Sequence, residues 1–205
     1  MPYDTLAAAD IVARTAEALK ARGVEALIVN DRVEALTKVK ELISAGASVM
    51  NGSSRTLEEI GYIEYLKEGK HGWNNLHDGV LAEKDPAKQA ELRRQSVLSD
   101  YYLGSVHAIA ETGEMVVASA SGSQVPHLAF TSQNLVLVAS TQKIVPTLQD
   151  ALKRVEEYVF PLEDQRMKSV GYPGSLLGKI LIMAHEHPMM GRKVRVILVN
   201  EKLGF

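Results

Sequence analysis

Ala47-Ser48-Val49-Met50-Asn51-Gly52-Ser53-Ser54-Arg55-Thr56-Leu57-Glu58-Glu59-Ile60 is the stretch whose reading decides the fold. Ala47 to Met50 is short, apolar and strand-sized. Leu57, Ile60, Ile63 and Leu66 then recur every three or four positions, the spacing of one helical face, and Gly69 closes the run. Asn51-Gly52-Ser53-Ser54-Arg55-Thr56 is therefore a strand-to-helix turn.

Upstream, the same alternation appears once more. Leu6, Ala9, Val12, Ala16 and Leu19 predict a helix over residues 5–21, stopped by Gly23. Val24 to Asn30 reads as a strand. Asp31 and Glu34 form an Asp-x-x-Glu capping pattern. Behind it Val33, Leu36, Val39 and Ile43 line a helix that ends near Gly46. Strand and helix in strict alternation imply a parallel sheet with crossover helices, an α/β fold.

Downstream, residues 70–84 have no clear period. Asp85-Pro86 starts a helix, with Asp85 as its cap, and Lys88 to Arg94 is its solvated face. After Asp100 the character changes. Val106 to Ala110 and Met115 to Ala118, joined by Glu111-Thr112-Gly113-Glu114, read as a hairpin. It is expected to be a small insertion beside a mainly parallel sheet. Leu135 to Ala139 is a buried-strand candidate. Pro146 opens a helix to about Tyr158, residues 161–192 resist assignment, and Lys193 to Asn200 is a final strand with Val194, Val196 and Leu198 on one face.

Composition sets the outer limits. With 205 residues and no linker or repeat, one domain spanning residues 1–205 is the simplest organisation. The formal charge of −2 offers no strong field for nucleic acid. The chain has no cysteine, which excludes disulfides, thiol catalysis and iron–sulfur ligation by this chain. No run approaches the ~18 apolar residues of a membrane span. Asp4 and Asp10 stand where an export signal would be basic and then apolar, and Met1-Pro2 lacks a myristoylation glycine. The expected location is the cytoplasm.

Five constellations can carry chemistry. Gly52, Ser53, Ser54 and Thr56 can cradle a phosphate or carboxylate at a helix start; equally, Ser53 or Ser54 can be an ordinary N-cap. The turn is not a Walker motif, because no Gly-Lys-Ser/Thr follows. His107 with Glu111-Thr112-Gly113-Glu114 offers Glu111 as a general base or nucleophile, against a plain hairpin turn with surface acids. Ser119 to Gln124 offers Gly122, Ser123 and Gln124 as a loop that admits close backbone approach, against a bulged connection. His185-Glu186-His187 puts two imidazoles on one strand face. Closed structural zinc sites usually use cysteines, so no metal is expected there. Gly171 to Lys179 is glycine-rich and could bring a lysine to an acidic ligand.

Taken in order, three stretches resemble the lactate-utilisation (LUD) domain family of LutC-like and YkgG-like proteins. They are Gly52 to Gly61, Tyr102 to Glu114 and Gly191 to Gly204. The resemblance implies a fold of the NagB/RpiA/CoA-transferase type, whose members bind phosphosugars, acyl-CoA, or folate with ATP at the carboxyl ends of parallel strands. It places Gly52, Ser53, Ser54 and Thr56 in the family's helix-start loop, Glu111, Thr112 and Gly113 in its turn after the central strand, and Gly122 in its glycine loop. Two departures stand out. Gln124 occupies the place where many relatives carry arginine, and Gly171 to Lys179 replaces either a Gly-Pro-Ser acidic stretch or a cysteine cluster.

The expectation is a protein that binds a small anion, whether carboxylate, phosphate or nucleotide-like, in organic-acid metabolism such as lactate utilisation. Ser53, Ser54 and Thr56 would be ligands, Glu111 the catalytic carboxylate, and Gly122, Ser123 and Gln124 the opposite side. No cofactor is named by these residues. The other classes are an accessory subunit with redox partner subunits and a transferase or cyclo-ligase. A homodimer follows from fold analogy.

Overall fold

A computed structural model describes residues 3–205; the Met1-Pro2 start lies outside them. In chain order the elements are α1 (Ala9–Ala21), β1 (Val24–Val29), α2 (Arg32–Leu42), β2 (Ser48–Asn51), α3 (Arg55–Glu59), α4 (Tyr62–Lys67), β3 (Asn74–Asn75), α5 (Leu76–Ala82), α6 (Pro86–Gln95), β4 (Tyr101–Gly104), β5 (Ala108–Ala110), β6 (Met115–Ser119), β7 (Asn134–Ser140), β8 (Ile144–Val145), α7 (Leu148–Arg154), α8 (Phe160–Ser169), β9 (Lys179–Met183) and β10 (Lys193–Val199).

Six strands form a parallel sheet in the order β1-β10-β7-β4-β2-β3. Its strands bury both faces, so alternate residues enter different cores. Val194, Val196 and Leu198 join one with Met50 and Tyr102. Ile197 and Val199 join the other with Val49, Leu57 and Tyr62. Leu57, fully buried, contributes about 1.5–3 kcal/mol of transfer free energy. The chain reverses into the sheet through good caps: Asp31 accepts from the Val33 and Glu34 amides at 2.9 Å, and Glu34 reaches back to the Asn30 amide at 2.8 Å.

Four regions differ from the sequence reading. The hairpin forms, but it is no small insertion: β5 and β6 are the centre of a second, four-stranded mixed sheet, β8-β5-β6-β9. The helix expected after Arg55 is two, because Gly61, at φ +79°, breaks the axis between α3 and α4. Residues 70–84, without a clear period, hold β3 and α5. The helix opened by Pro146 runs on to Ser169 through a widened turn at Val155–Val159. That turn precedes Pro161, which has no amide hydrogen and whose ring crowds the carbonyl four residues back. Among the described residues, no helix is long and apolar enough to cross a membrane.

Candidate functional site

The carboxyl ends of β2, β4 and β7 lie side by side, and each is followed by a polar segment: Gly52 to Thr56, Ser105 to His107, and Thr141 to Lys143. They converge on a cavity of about 240 Å³. This is where open parallel sheets place ligands.

At its floor stands Lys143, only 2% exposed. Its Nζ donates to Thr56 Oγ1 at 3.0 Å, Ser105 Oγ at 3.0 Å and the Val106 carbonyl at 3.2 Å. All three partners are neutral. Burial pushes the ammonium down to about 7, with the Arg154 charge adding to the effect and Glu59 opposing it. The lysine nitrogen is thus held by two hydroxyls and a carbonyl, with no carboxylate to balance its charge.

The turn after β2 is both cap and wall. Ser54 Oγ accepts from the Leu57 amide at 3.3 Å, the N-cap of α3. Ser53, Ser54 and Thr56 also line the cavity. Thr56 is buried, and its hydroxyl is turned to Lys143 and Ser105. Gly52 is required by a neighbour: a Cβ there would sit 2.6 Å from the Tyr102 hydroxyl.

The opposite side comes from β6 and the loop after it. Ser123 and Gln124 face the cavity. Gln124 is fixed at both ends of its amide, donating to the Ala118 carbonyl at 2.9 Å and accepting from Tyr102 at 3.3 Å. Gly122 stands outside the lining; at φ +85° it lets the Lys179 stem pass where a Cβ would be. His107 also lines the cavity. Its Nδ1 accepts from the Ala118 amide at 3.0 Å, so the ring proton is assigned to Nε2. Burial, with the charges of Lys143 and Arg154, holds this ring down to about 3, so it is neutral. The roof is the long helix, with Val155, Phe160 and Arg166; Arg166 makes two 2.7 Å bonds to Glu163.

Glu111, Thr112 and Gly113 are not brought to this cavity, contrary to the expectation of a catalytic Glu111 beside the anion ligands. The reason is strand direction. His107 stands just before β5, at the cavity, and β5 runs away from it. Glu111 is four residues further on, about 13 Å at ~3.3 Å per residue. There the turn docks on α1. The Glu111 carboxylate takes a 3.3 Å bond from Arg14, the Thr112 carbonyl accepts from Arg22 at 2.6 Å, and a Cβ on Gly113 would strike the Ala18 backbone at 2.9 Å.

The histidine pair is likewise apart from the cavity. Glu186 pairs with Arg192 at 3.2 Å, and His187 Nδ1 accepts from the Met189 amide at 3.3 Å. Among the described residues, no three His, Cys, Asp or Glu side chains converge as metal ligands. Of the glycine-rich segment, Ser175, Leu176 and Leu177 reach the cavity rim.

Lys143, Ser105, Tyr102 and Arg166 were not singled out from sequence. One signal was available for Lys143. It follows the apolar run Leu135 to Ala139, at the carboxyl end of a central strand, just as Gly52 follows β2.

The LUD domain family matches residues 12–176, and the chain belongs to that family. Its fold is similar to a crystal structure of a DUF162 family protein from Deinococcus radiodurans, with a TM-score of 0.54 and 15% identity over 96% of this chain and 100% of that one. Comparison with curated proteins gives no match.

Proposed function

We propose that this LUD-domain protein binds a small carboxylate or phosphate in the cavity at the ends of β2, β4 and β7. Lys143 supplies the positive charge. Ser53 and Ser123 supply hydrogen bonds from the two facing loops. The observation that carries this reading is Lys143 itself, a buried cation at a cavity floor with only neutral partners. The family's association makes an organic acid of lactate utilisation the first candidate ligand.

A transferase in which Glu111 is the nucleophile has less support, because that carboxylate is paired with Arg14 at the far end of β5. An accessory role beside redox subunits is compatible with the same cavity. The test is a thermal-shift panel of lactate, pyruvate, inorganic phosphate and adenosine monophosphate. A ligand at a hundred times its Kd should add about 2.7 kcal/mol of stability. The paired change Ser53→Ala and Ser123→Ala should weaken that response. Full stabilisation of the double variant would remove the site assignment.

A further inference from the structure

On the other side of the Gly52–Arg55 turn lies a second hollow of about 530 Å³. It shares Gly52, Ser53, Ser54 and Arg55 with the first cavity, yet its chemistry is opposite. We propose that it is a second compartment of the binding site, which takes a hydrogen-bond-donating amino or amidine group of the same ligand. The proposal rests on the anion reading of the first cavity.

Asn51, the last residue of β2, lines this hollow and is 1% exposed. Its Nδ2 donates to the Gly52 carbonyl at 3.2 Å. Its Oδ1, equally buried, has no partner. His77, on α5, lines the same hollow, and its Nδ1 is also buried without a partner. Burial lowers this imidazole's pKa, while Asp78 and the Asn51 carbonyl against the ring act the other way. With Nδ1 partnerless, the ring hydrogen is assigned to Nε2, on the side of that carbonyl, which leaves Nδ1 to accept. Two buried acceptors thus belong to residues that line one hollow. Native proteins leave few such groups unmatched.

The charges agree. Glu58, Glu59 and Glu64 face this hollow against Arg55 and Lys67, whereas the first cavity holds Lys143, Arg55 and Arg166 against Glu163. Both Arg55 bonds go to Glu58 and Glu59, so the wall nearest the turn has its one cation shared between two carboxylates and is net acidic. What remains on the far side is the Glu64–Lys67 pair, at 3.9 Å, with one apolar residue, Ile63. Both cations there are already paired with glutamates, so an anion is disfavoured. A group bearing N–H donors has several acceptors. The turn separates an anion-seeking space from a donor-seeking one, which describes a ligand with an acid at one end and an amino group at the other.

The test uses the full isotopically labelled chain and nuclear magnetic resonance, with formamidinium, acetamide and acetate as separate probes. Formamidinium should shift the Asn51 side-chain amide and the His77 ring saturably, with acetamide weaker. Acetate should instead shift signals around Lys143. Asn51→Leu should abolish the formamidinium response and leave acetate binding in place. Asn51→Asp is close in size and puts a full charge on the acceptor, so formamidinium should bind about threefold tighter or better, as charge-assisted bonds do. The compartment is refuted if formamidinium leaves Asn51 and His77 unmoved, or binds both variants as it binds the parent. Acetate silence around Lys143 would instead overturn the anion reading.

Discussion

Two turns in this chain have the same kind of sequence and different lives. Gly52 to Thr56 and Glu111 to Gly113 each combine a glycine, a hydroxyl residue and a neighbouring glutamate at the end of a short strand. The first lines a cavity against Lys143; the second is pressed onto α1. The difference is the neighbourhood of the strand each turn follows. β2 ends among parallel neighbours whose carboxyl ends all open to one side, so three polar segments converge. β5 is half of an antiparallel hairpin, and its turn is carried to the far end of its sheet. Turn chemistry alone is therefore a poor guide to a site. Turn chemistry at the carboxyl edge of a parallel sheet is a better one.

The comparison can be broken by substitution. Lys143→Met should have the largest effect on binding, a loss of about tenfold to a hundredfold in anion affinity measured by calorimetry, because it removes a charge-assisted contact. The same contact gives binding a pH dependence. The folded lysine titrates near 7 against an ordinary 10.5, so the anion should bind best below pH 7 and more weakly as the pH rises through that value. The methionine variant should lack this dependence. The unbound protein should show the companion effect with the opposite sense. Between about pH 7 and 10.5 the unfolded chain holds the extra proton, so the lysine's burial penalty is relieved and stability rises with pH. A flat binding profile in the parent would detach Lys143 from the ligand.

Next in size is a paired glycine test. Gly113→Ala places a side chain at φ +94° and against the Ala18 backbone. It should cost about 1–3 kcal/mol in denaturant unfolding without changing anion affinity. Gly52→Ala meets the Tyr102 hydroxyl instead, and should shift the turn and weaken the anion. Equal loss of affinity in both variants would erase the distinction between the turns. The smallest expected effect is that of Glu111→Gln. Its ion pair with Arg14 is largely open to solvent, and such pairs contribute about 0–1 kcal/mol. Anion affinity should stay within about twofold; a tenfold loss would restore Glu111 to the site.

Much of this was legible in the residues. The period of Leu57, Ile60, Ile63 and Leu66, the Asp31 and Asp85 caps and the apolar runs at Val24 and Leu135 report local propensity and burial, and local rules govern them. Gly52, Ser53, Ser54, Thr56, Ser123 and Gln124, which line the cavity, could be picked out because polar turns after apolar runs are visible along a chain. Lys143 was not singled out, because its place after an apolar run is a weak signal; its meaning comes from Thr56, 87 residues away, and from Ser105. Asn51 was read as the start of a turn, and only burial of its Oδ1 without a partner makes it a candidate ligand contact. The sequence by itself determined the alternation of elements, the parallel sheet and the family, since these follow from periodicity and from motifs in order. The tertiary structure alone decided which turns face one another, that Glu111 belongs to α1 rather than the cavity, and that a lysine stripped of water stands at its floor. Those outcomes depend on strand direction and desolvation, which are properties of neighbours in space and not of neighbours in the chain.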